Sequence, residues 1–287
     1  MIVTKLMGGL GNQMFQYAAG KALALSNGSD CKVDIDFFNN DSKGVYTQRK
    51  FELDVFEPPI EIANKKEIDV LLQAEKGNLI TKIFSKQHTT YYKEKQHCFN
   101  DEILKLKDNT YIEGYWQSEK NFKNYSNEIR NCFIFKKDLI QGTENLLRAI
   151  QNTNSVSIHV RRGDYVNLKS ANAFHGTCTP EYYKAAIELL RQKQIDLQFF
   201  IFSDDIEWCK SNLNLDKNTQ FVETESACKD LFLMQNCKHH IIANSSFSWW
   251  GAWLNIHPHK LVIAPNKWFN DNSIDTKDIY PESWIVI

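Results

Sequence analysis

The chain has 287 residues, of which 43% are hydrophobic and 24% charged, and its formal net charge at pH 7 is −1. This length predicts about two domains with substantial cores. The balanced charge gives no electrostatic basis for binding nucleic acid or an anionic membrane surface.

The cysteines and the apolar runs indicate the cellular compartment of the protein. Its 7 cysteines are scattered, without the paired spacing of zinc sites or the density of a disulfide scaffold. They indicate reduced thiols in a cytosolic protein. No apolar run suits a signal peptide or approaches the roughly 20 residues of a membrane span, so we expect a soluble protein.

The first half of the chain opens as an α/β unit. The stretch MIVTKL at 1–6 predicts a strand, GNQMFQYAAGKALALSNG at 11–28 a helix ended by Gly28, and CKVDID at 31–36 a second strand. From about residue 40 to about residue 130 the pattern loosens into loop-like stretches, and no element boundaries are assigned there.

The second half alternates regularly between strands and helices. The polar stretch 136–154 predicts the last helix of a first domain, so we place the domains at 1–154 and 155–287. The strands predicted in the second domain are SVSIHV, LQFFIFS, TQFVE, HHIIA and KLVIAP. The helices between them begin near Thr179, Asp204, Ser226 and Ser246. This alternation predicts a parallel, doubly wound sheet, whose ligands bind beyond the carboxyl ends of the strands.

The stretch HVRRGDY at 159–165 follows the first strand of the second domain. Strand alternation places Ser157, His159 and Arg161 on one face, opposite the apolar Val156, Ile158 and Val160. A guanidinium can hold two phosphate oxygens at once, so Arg161 is a candidate diphosphate clamp. The alternative is a solvated pair, Arg161 and Arg162, in a surface turn with Asp164 as its partner.

A glycine-rich turn, GGLGNQ at 8–13, links the first strand to the first helix. Such a turn lets backbone N–H groups approach an anion at the helix N-terminus. It does not match a dinucleotide fingerprint, because Met14 stands where the third glycine is needed. The candidate residues are Gly9, Gly11, Asn12 and Gln13.

Two further strand ends carry polar residues. In FSDD at 202–205 the paired carboxylates suit a metal, a ribose or a base, but capping of the next helix through Ser203 or Asp204 is favoured. In NSSFSWWGAWLN, residues Asn244, Ser245 and Ser246 start a helix and form a second anion cradle.

The tryptophans of the same stretch predict a structural role, unlike its serines. Trp249 and Trp253 are four residues apart, which predicts a buried stripe on one helix face. The alternative is a stacking platform for a ligand.

Four stretches in this order and spacing, GGLGNQMFQYA, HVRRGDY, FSDDIEWC and NSSFSWWGAWL, resemble the signatures of the α-1,2-fucosyltransferases of glycosyltransferase family 11, especially the bacterial members. The resemblance spans nearly the whole chain. It implies an α/β, GT-B-like fold of two facing Rossmann-type domains with parallel sheets, the first on the acceptor side and the second binding GDP-fucose. It also implies inverting transfer of L-fucose from GDP-β-L-fucose to the 2-hydroxyl of a terminal β-galactoside in a cell-surface glycan.

The resemblance also implies roles for single residues. In more distant α-1,6- and protein O-fucosyltransferases, an arginine of a similar stretch contacts the diphosphate and an aspartate upstream of the final motif reads guanine. By this resemblance, Arg161 contacts the diphosphate and Asp230 binds guanine. A carboxylate can accept hydrogen bonds from the adjacent N1–H and N2–H of guanine. The alternative is that Asp230 is a solvated helix residue. The donor site assigned in this way comprises Gly9, Gly11, Asn12, Gln13, His159, Arg161, Asp204, Asp230, Asn244, Ser245, Ser246 and Phe247.

The catalytic residues expected are Arg161, Asp164 and His159. Asp164 is the nearest carboxylate to the clamp, but two adjacent arginines would depress its pKa and weaken it as a base. It is then a residue that orients Arg161 or Arg162. A dissociative route, in which the diphosphate takes the proton, needs no side-chain base.

The resemblance implies no cofactor and no metal, because enzymes of this group neutralise the leaving diphosphate with arginine and helix N-termini. The expected partners are GDP-fucose and a galactose-terminated oligosaccharide or glycolipid, and no nucleic acid. The expected place is the bacterial cytoplasm, with peripheral contact at the inner membrane left open. The alternatives are a GDP-sugar transferase of different acceptor or linkage, a non-catalytic sugar-binding module, and a nucleotide-dependent oxidoreductase, which the residue Met14 opposes.

Overall fold

The computed structural model describes residues 1–39, 49–76, 90–163, 174, 176–213, 215 and 217–287. The chain divides into two compact units, Met1–Ile134 with Asp275–Ile279, and Phe135–Ile274 with Tyr280–Ile287. The sequence analysis places the boundary near Asn154, about 20 residues after the observed change of unit. The difference arises because the helix before Asn154 packs in the second unit, where buried Ile150 belongs to the same hydrophobic core as Phe200 and Phe202.

The first unit is built on a parallel sheet of four strands in the order β2-β1-β4-β3. These strands are β1 (Ile2–Lys5), β2 (Cys31–Asp34), β3 (Thr90–Lys93) and β4 (Thr110–Glu113). The helices are α1 (Leu10–Asn27), α2 (Asp36–Asn39), α3 (Lys65–Lys76) and α4 (Ser126–Cys132). Short 3₁₀ turns cover Leu53–Val55, Asp101–Lys105, Glu119–Asn121 and Lys123–Tyr125.

Helix α1 lies very close to β1. A Cβ added at Gly20 would lie 2.9 Å from the Cβ of Thr4, so only glycine permits this approach. The Thr4 hydroxyl donates to the carbonyl oxygen of Gln16 at 3.1 Å and joins the two elements. The helix ends at Gly28, in the left-handed conformation with φ of 60°, as the sequence predicts.

The second unit contains a parallel sheet of six strands in the order β10-β9-β8-β5-β6-β7. The strands are β5 (Asn154–Val160), β6 (Leu197–Ser203), β7 (Thr219–Val222), β8 (His239–Ile241), β9 (Val262–Ala264) and β10 (Ile285–Val286). Its helices are α5 (Glu144–Gln151), α6 (Pro180–Lys193), α7 (Ile206–Asn212), α8 (Ala227–Asn236) and α9 (Ser246–Leu254), and a 3₁₀ turn covers Lys137–Ile140.

Both faces of this sheet are covered, which explains its continuous apolar strands. Val156, Ile158 and Val160 pack in one core that includes Leu190 of α6. On the other face, Phe200 and Phe202 pack with α8. The alternation and the doubly wound parallel sheet predicted for the second half are confirmed, and Thr179 caps α6 as predicted.

The tryptophans of α9 belong to the core. Trp249 and Trp250 are fully buried, and Trp253 is 3% exposed. The rings of Trp249 and Trp253 stack with centroids 6.1 Å apart and planes at 11°. The predicted buried stripe is therefore confirmed, and the alternative of a ligand platform is wrong for these two rings.

Candidate active site

Strands β5 and β6 end side by side, with Val160 paired to Ser203, so the residues that follow them meet. Arg161 Nη1 donates to Asp204 Oδ2 at 2.6 Å, and the backbone N–H of Arg162 donates to Asp204 Oδ1 at 2.8 Å. Both oxygens of one carboxylate thus fix the turn after β5. This contact holds the Arg161 guanidinium, a quarter exposed, at the carboxyl end of the sheet.

Arg162 has a separate environment. Its Nε donates to Asp205 Oδ2 at 3.1 Å, and its guanidinium carbon lies 4.0 Å from the ring centroid of Trp208. Strand alternation predicts that Arg161 and Arg162 point in different directions, and their separate partners agree with this prediction. Asp164, proposed as their partner, lies outside the described residues.

Asp204 and Asp205 have different roles, and the residue that caps α7 is not the one predicted. Asp205 is the N-cap of α7 and accepts from the backbone N–H of Trp208 at 3.1 Å, so the prediction of Ser203 or Asp204 as the cap is wrong. The hydroxyl of Ser203 instead accepts from the N–H of Asp205. The helix begins one or two residues later than the sequence suggests, which leaves Asp204 free of capping and able to pair with Arg161.

Gly163 is required by the position of Asp204. A Cβ added at Gly163 would lie 2.6 Å from Asp204 Oδ2, the oxygen that holds Arg161. The glycine that follows the two arginines therefore makes room for the carboxylate that orients the first of them.

His159 lies buried behind this turn. Burial, together with the positive charge of Arg161, lowers its pKa to about 3, and the negative charge of Asp204 opposes this shift only partly. Its ring lies 5.6 Å from that of Phe247. Within the described chain its Nδ1 has no hydrogen-bond partner. At neutral pH the imidazole is uncharged, so His159 is suited to neutral hydrogen bonding and is a poor acceptor of a catalytic proton.

The N-terminus of α9 offers backbone donors rather than an amide side chain. The N–H of Trp249 donates to the carbonyl of Ser245, and the N–H groups of the preceding first turn point out of the helix. The side chain of Asn244 is buried, and its amide donates to the carbonyls of Gly176 and Trp268. The amide donors of Asn244 thus hold neighbouring loops together, and its place in the donor site stays a prediction.

Asp230 lies in the first turn of α8 and is partly buried. It accepts from the hydroxyl of Thr224 at 2.7 Å. Burial raises its pKa to about 6, against the lowering effect of this hydrogen bond. Asp230 is thus partly buried rather than fully solvated, and its role in the donor site stays a prediction. A partly desolvated carboxylate is available beyond β7.

The N-terminus of α1 is already occupied by a group of the protein. The carboxylate of Glu52 accepts from the N–H of Leu10. The Gln13 amide donates to the carbonyls of Gly8 and Lys50 and accepts from the N–H of Glu52. The predicted anion cradle of GGLGNQ thus holds an internal carboxylate, because the chain around residue 50 returns to this turn.

Asn12 accepts from the side-chain amide of Gln117 at 2.8 Å. Its oxygen therefore serves a contact within the first unit. Gly9 is the N-cap of α1 and Gly11 lies in its first turn, so both serve this helix start.

The whole chain, including these strand ends, matches a known protein family. The family description "Glycosyl transferase family 11" matches residues 1–287. The chain belongs to glycosyltransferase family 11. The family indicated by the four sequence stretches is confirmed, and with it the glycosyltransferase class.

Relatives of this family 11 chain align over nearly all of it. An "Alpha-1,2-colitosyltransferase" of Escherichia coli is 37% identical over 299 residues, covering 100% of this chain and 99% of its own. The "O-antigen biosynthesis glycosyltransferase WbnK" of Escherichia coli is 33% identical and covers 98% of each chain.

A solved structure of the fucosyltransferase NodZ from Bradyrhizobium matches 88% of this chain and 92% of its own, with a TM-score of 0.51 and 12% identity. This likeness concerns the fold. The α/β, GT-B-like fold class predicted for this family 11 chain is confirmed.

Two further features concern metal binding and membrane crossing. Among the residues that the structure describes, no group of three or more His, Cys, Asp or Glu is arranged to hold a metal ion. No helix in these ranges is long and apolar enough to cross a bilayer.

Sequence reasoning missed three contacts around the candidate site residues of this family 11 chain. Thr224 holds Asp230, Gly163 admits Asp204, and Glu52 fills the α1 turn. A glycine in a turn is compatible with a close approach, so Gly163 was the one sequence signal among the three. The other two depend on contacts formed only when the chain folds.

Proposed function

We propose that this protein is an inverting α-1,2-fucosyltransferase, which moves L-fucose from GDP-β-L-fucose to the 2-hydroxyl of a terminal β-galactoside. The observation that carries the proposal is the Arg161–Asp204 pair, fixed at the end of β5 in a chain of glycosyltransferase family 11. Transfer of a nucleotide-activated sugar needs a fixed cation where the leaving diphosphate gains charge.

Arg161 is the residue that we assign to the diphosphate. Its forked guanidinium can donate to two phosphate oxygens, and Asp204 sets its orientation before the donor binds. The first-turn N–H groups of α9, near Ser246 and Phe247, supply further donors with a partial positive charge. These groups support a reaction without a metal, which remains part of the proposal.

Asp230 is the residue that we assign to guanine. An ionised carboxylate accepts from N1–H and N2–H together, which a base without these donors cannot match. Desolvation of the carboxylate strengthens such hydrogen bonds and raises their cost when the donors are missing. The energetic cost of keeping this group partly buried is the reason to expect a ligand there.

Proton removal from the attacking hydroxyl is assigned to a dissociative route, in which the donor C–O bond breaks first and the proton is then lost to solvent. Inversion places the hydroxyl on the face of the sugar opposite the diphosphate. The low pKa of His159 makes it a weak base. In this proposal His159 is a neutral group beside Arg161.

A second donor is supported by one comparison. The relative that is 37% identical over the full chain carries the name α-1,2-colitosyltransferase. Colitose is L-fucose without its 3-hydroxyl, so the two donors share the GDP group and the configuration of the ring. GDP-colitose is therefore the second candidate donor, with the same α-1,2 linkage.

The test is a product assay on the purified protein with lactose as acceptor. GDP-fucose and GDP-colitose are supplied separately and in competition, and the linkage is assigned by NMR. We expect α-1,2-fucosyllactose as the favoured product. A kcat/KM that favours GDP-colitose would replace the donor, and no transfer from either donor to any galactoside tested would contradict the function.

The acceptor class and the place of the reaction belong to the same proposal. The name of the second relative refers to O-antigen biosynthesis, and we propose a galactose-terminated surface glycan or its lipid-linked precursor as the acceptor. The reaction then takes place in the cytoplasm, at the inner face of the membrane. Cell fractionation together with assay of lipid-linked acceptors tests both points.

A further inference from the structure

A cavity of about 460 Å³ lies within the first unit. Its wall includes Tyr92, Glu94, His97, Trp116, Gln117 and Asn121. Glu94 directly follows β3 and Trp116 comes three residues after β4, so the cavity opens beyond the carboxyl ends of two parallel strands. This is the position where ligands bind in open α/β sheets, and the volume suits a small-molecule site.

Glu94 brings a carboxylate into this wall. Its two oxygens accept from the backbone N–H groups of Tyr115, at 2.6 Å, and Trp116, at 3.1 Å. Burial raises its pKa to about 7, although these hydrogen bonds act in the opposite direction. Each oxygen retains capacity for a further donor, because a carboxylate oxygen has two lone pairs.

Trp116 is held in an unfavourable backbone conformation. Its φ is 55°, which is an outlier for a bulky residue. Its ring stacks on Tyr92 with centroids 6.1 Å apart and planes at 23°. The indole N–H is buried and has no hydrogen-bond partner in the described part of the chain. The side chain is only 4% exposed, so it positions Tyr92 rather than offering a free face to a ligand. Backbone strain of this kind clusters at functional sites.

Gly114 permits this arrangement. A Cβ added there would lie 2.4 Å from the Cβ of Glu94 and 2.9 Å from Cε2 of Trp116. The glycine therefore allows the carboxylate and the indole to approach each other across the turn after β4.

The charges of the wall disfavour an anionic ligand. Lys95 and Lys277 are paired with Glu102 and Asp275, at 3.8 and 2.9 Å. No arginine is found among the described wall residues. The other described wall residues include aromatic rings, neutral amides, His97 and the carboxylates of Glu94 and Asp101. This combination suits a neutral ligand with an apolar face and many hydroxyls.

We propose that this cavity binds the galactoside ring of the acceptor, with Tyr92, whose ring stacks on Trp116, as its aromatic contact and Glu94 as a hydrogen-bond acceptor for sugar hydroxyls. The inference rests on the proposed function for the identity of the sugar. The C–H face of galactose packs on the Tyr92 ring, and its hydroxyl rim reaches the Glu94 carboxylate.

The direct test is ¹⁹F NMR on the full chain labelled with 5-fluorotryptophan and titrated with methyl β-D-galactopyranoside. The chain has 7 tryptophans, and the others serve as internal controls. The Trp116 resonance is assigned by its loss in Trp116→Phe. We expect only this resonance to move. A titration that leaves it unchanged, or moves the core tryptophans instead, overturns the proposal.

The kinetic test uses Trp116→Gly, because glycine accepts a positive φ without strain. We expect the KM for lactose to rise about tenfold, equivalent to roughly 1.4 kcal/mol, with unchanged affinity for GDP. Tyr92→Leu is the second variant, should the first not fold, with the same direction of change. Phe37→Leu, at an exposed aromatic residue of α2, is the control.

These outcomes separate the cavity from the function. A wild-type protein that transfers sugar, combined with variants of normal KM for lactose, overturns the cavity alone. A wild-type protein that transfers to no galactoside but shows the Trp116 shift retains the sugar site and overturns the proposed function.

Discussion

The Arg161 guanidinium donates to the Asp204 carboxylate at 2.6 Å, where β5 and β6 end side by side. The adjacent Arg162 donates to Asp205 and lies over the ring of Trp208. Two neighbouring arginines thus have different partners, one at the strand end and one at the start of α7. The same substitution at each should therefore have different consequences.

Arg161→Lys is expected to fold normally and to lose about 10²–10³ in kcat, the usual cost of removing one preorganised donor. Lysine retains the charge but loses the planar fork, so the deficit falls on the transition state more than on GDP affinity. Steady-state kinetics with GDP-fucose and lactose, together with melting curves, measure both effects.

Arg162→Lys is the matched control. It should lose on the order of 1 kcal/mol of stability through the Trp208 and Asp205 contacts, with a smaller change in kcat. A near-normal kcat for Arg161→Lys, or inactivity of Arg162→Lys instead, would show that the clamp lies elsewhere.

Gly163→Ala is expected to lower the activity of the protein without replacing any proposed ligand. The new methyl group would lie 2.6 Å from Asp204 Oδ2 and must displace the carboxylate from Arg161. We expect a drop in kcat of about tenfold or more, since misplacement of a positioning group by 1 Å can cost about 10²-fold. Phe37→Leu, at an exposed aromatic residue of α2, is the control. Wild-type activity of Gly163→Ala would contradict the positioning role of Asp204.

The second unit was largely predictable because its signals are local. Alternation along β5 separates Val156 and Ile158 from His159, and the structure has the apolar pair in the core against α6. The spacing of Trp249 and Trp253 indicates one helix face for the same reason. The periodicity of apolar residues indicates which side of a strand or helix is buried, even when the elements that pack against it are unknown.

The first unit was less predictable because its site depends on contacts between distant segments. Glu52 reaches the start of α1 from about 40 residues along the chain, and no local pattern records such a contact. The positive φ of Trp116 is equally invisible in its sequence, since a bulky residue argues against that conformation. The nearby Gly114 was the one available signal of a close approach.

Asp230→Asn is expected to weaken GDP binding about 10- to 100-fold, as for a hydrogen bond to a charged group. Inosine diphosphate lacks the 2-amino donor, so its affinity should fall less. Calorimetry with both nucleotides measures the difference, and Glu225→Gln, at an exposed residue preceding α8, is the control. Equal losses for both nucleotides would remove Asp230 from the guanine site.

The same variant should not be less stable at pH 7. The folded-state pKa of Asp230 is raised to about 6 from 3.8. The folded protein therefore holds this proton longer than the unfolded chain, and stability falls as pH rises from about 4 to about 6. Asparagine removes this cost, so the Tm of Asp230→Asn at pH 7 should equal or exceed that of the wild type. In the wild type, GDP affinity should decline below pH 6 as the carboxylate is protonated.

Glu94 should impose a further pH dependence on stability, at a higher pH than Asp230. Burial raises its pKa to about 7 from the value of 4.5 expected for the unfolded chain. Between these values the folded state binds more protons than the unfolded state, so the free energy of unfolding decreases as pH rises through this window. The full penalty, on the order of 2–3 kcal/mol, is present above pH 7 and absent below about pH 4.5.

Glu94→Gln removes the titration while retaining the shape of the side chain. Its amide nitrogen faces a backbone N–H, so the variant loses one of the two hydrogen bonds at every pH. That loss is constant, whereas the carboxylate penalty is not, so the difference in unfolding free energy between wild type and variant must itself change with pH. Urea unfolding at pH 5 and pH 7.5 should show the wild type losing more stability than the variant between these values. Two parallel pH profiles would mean that Glu94 is ionised in the folded state throughout, and that the cavity wall solvates its charge far better than its burial implies.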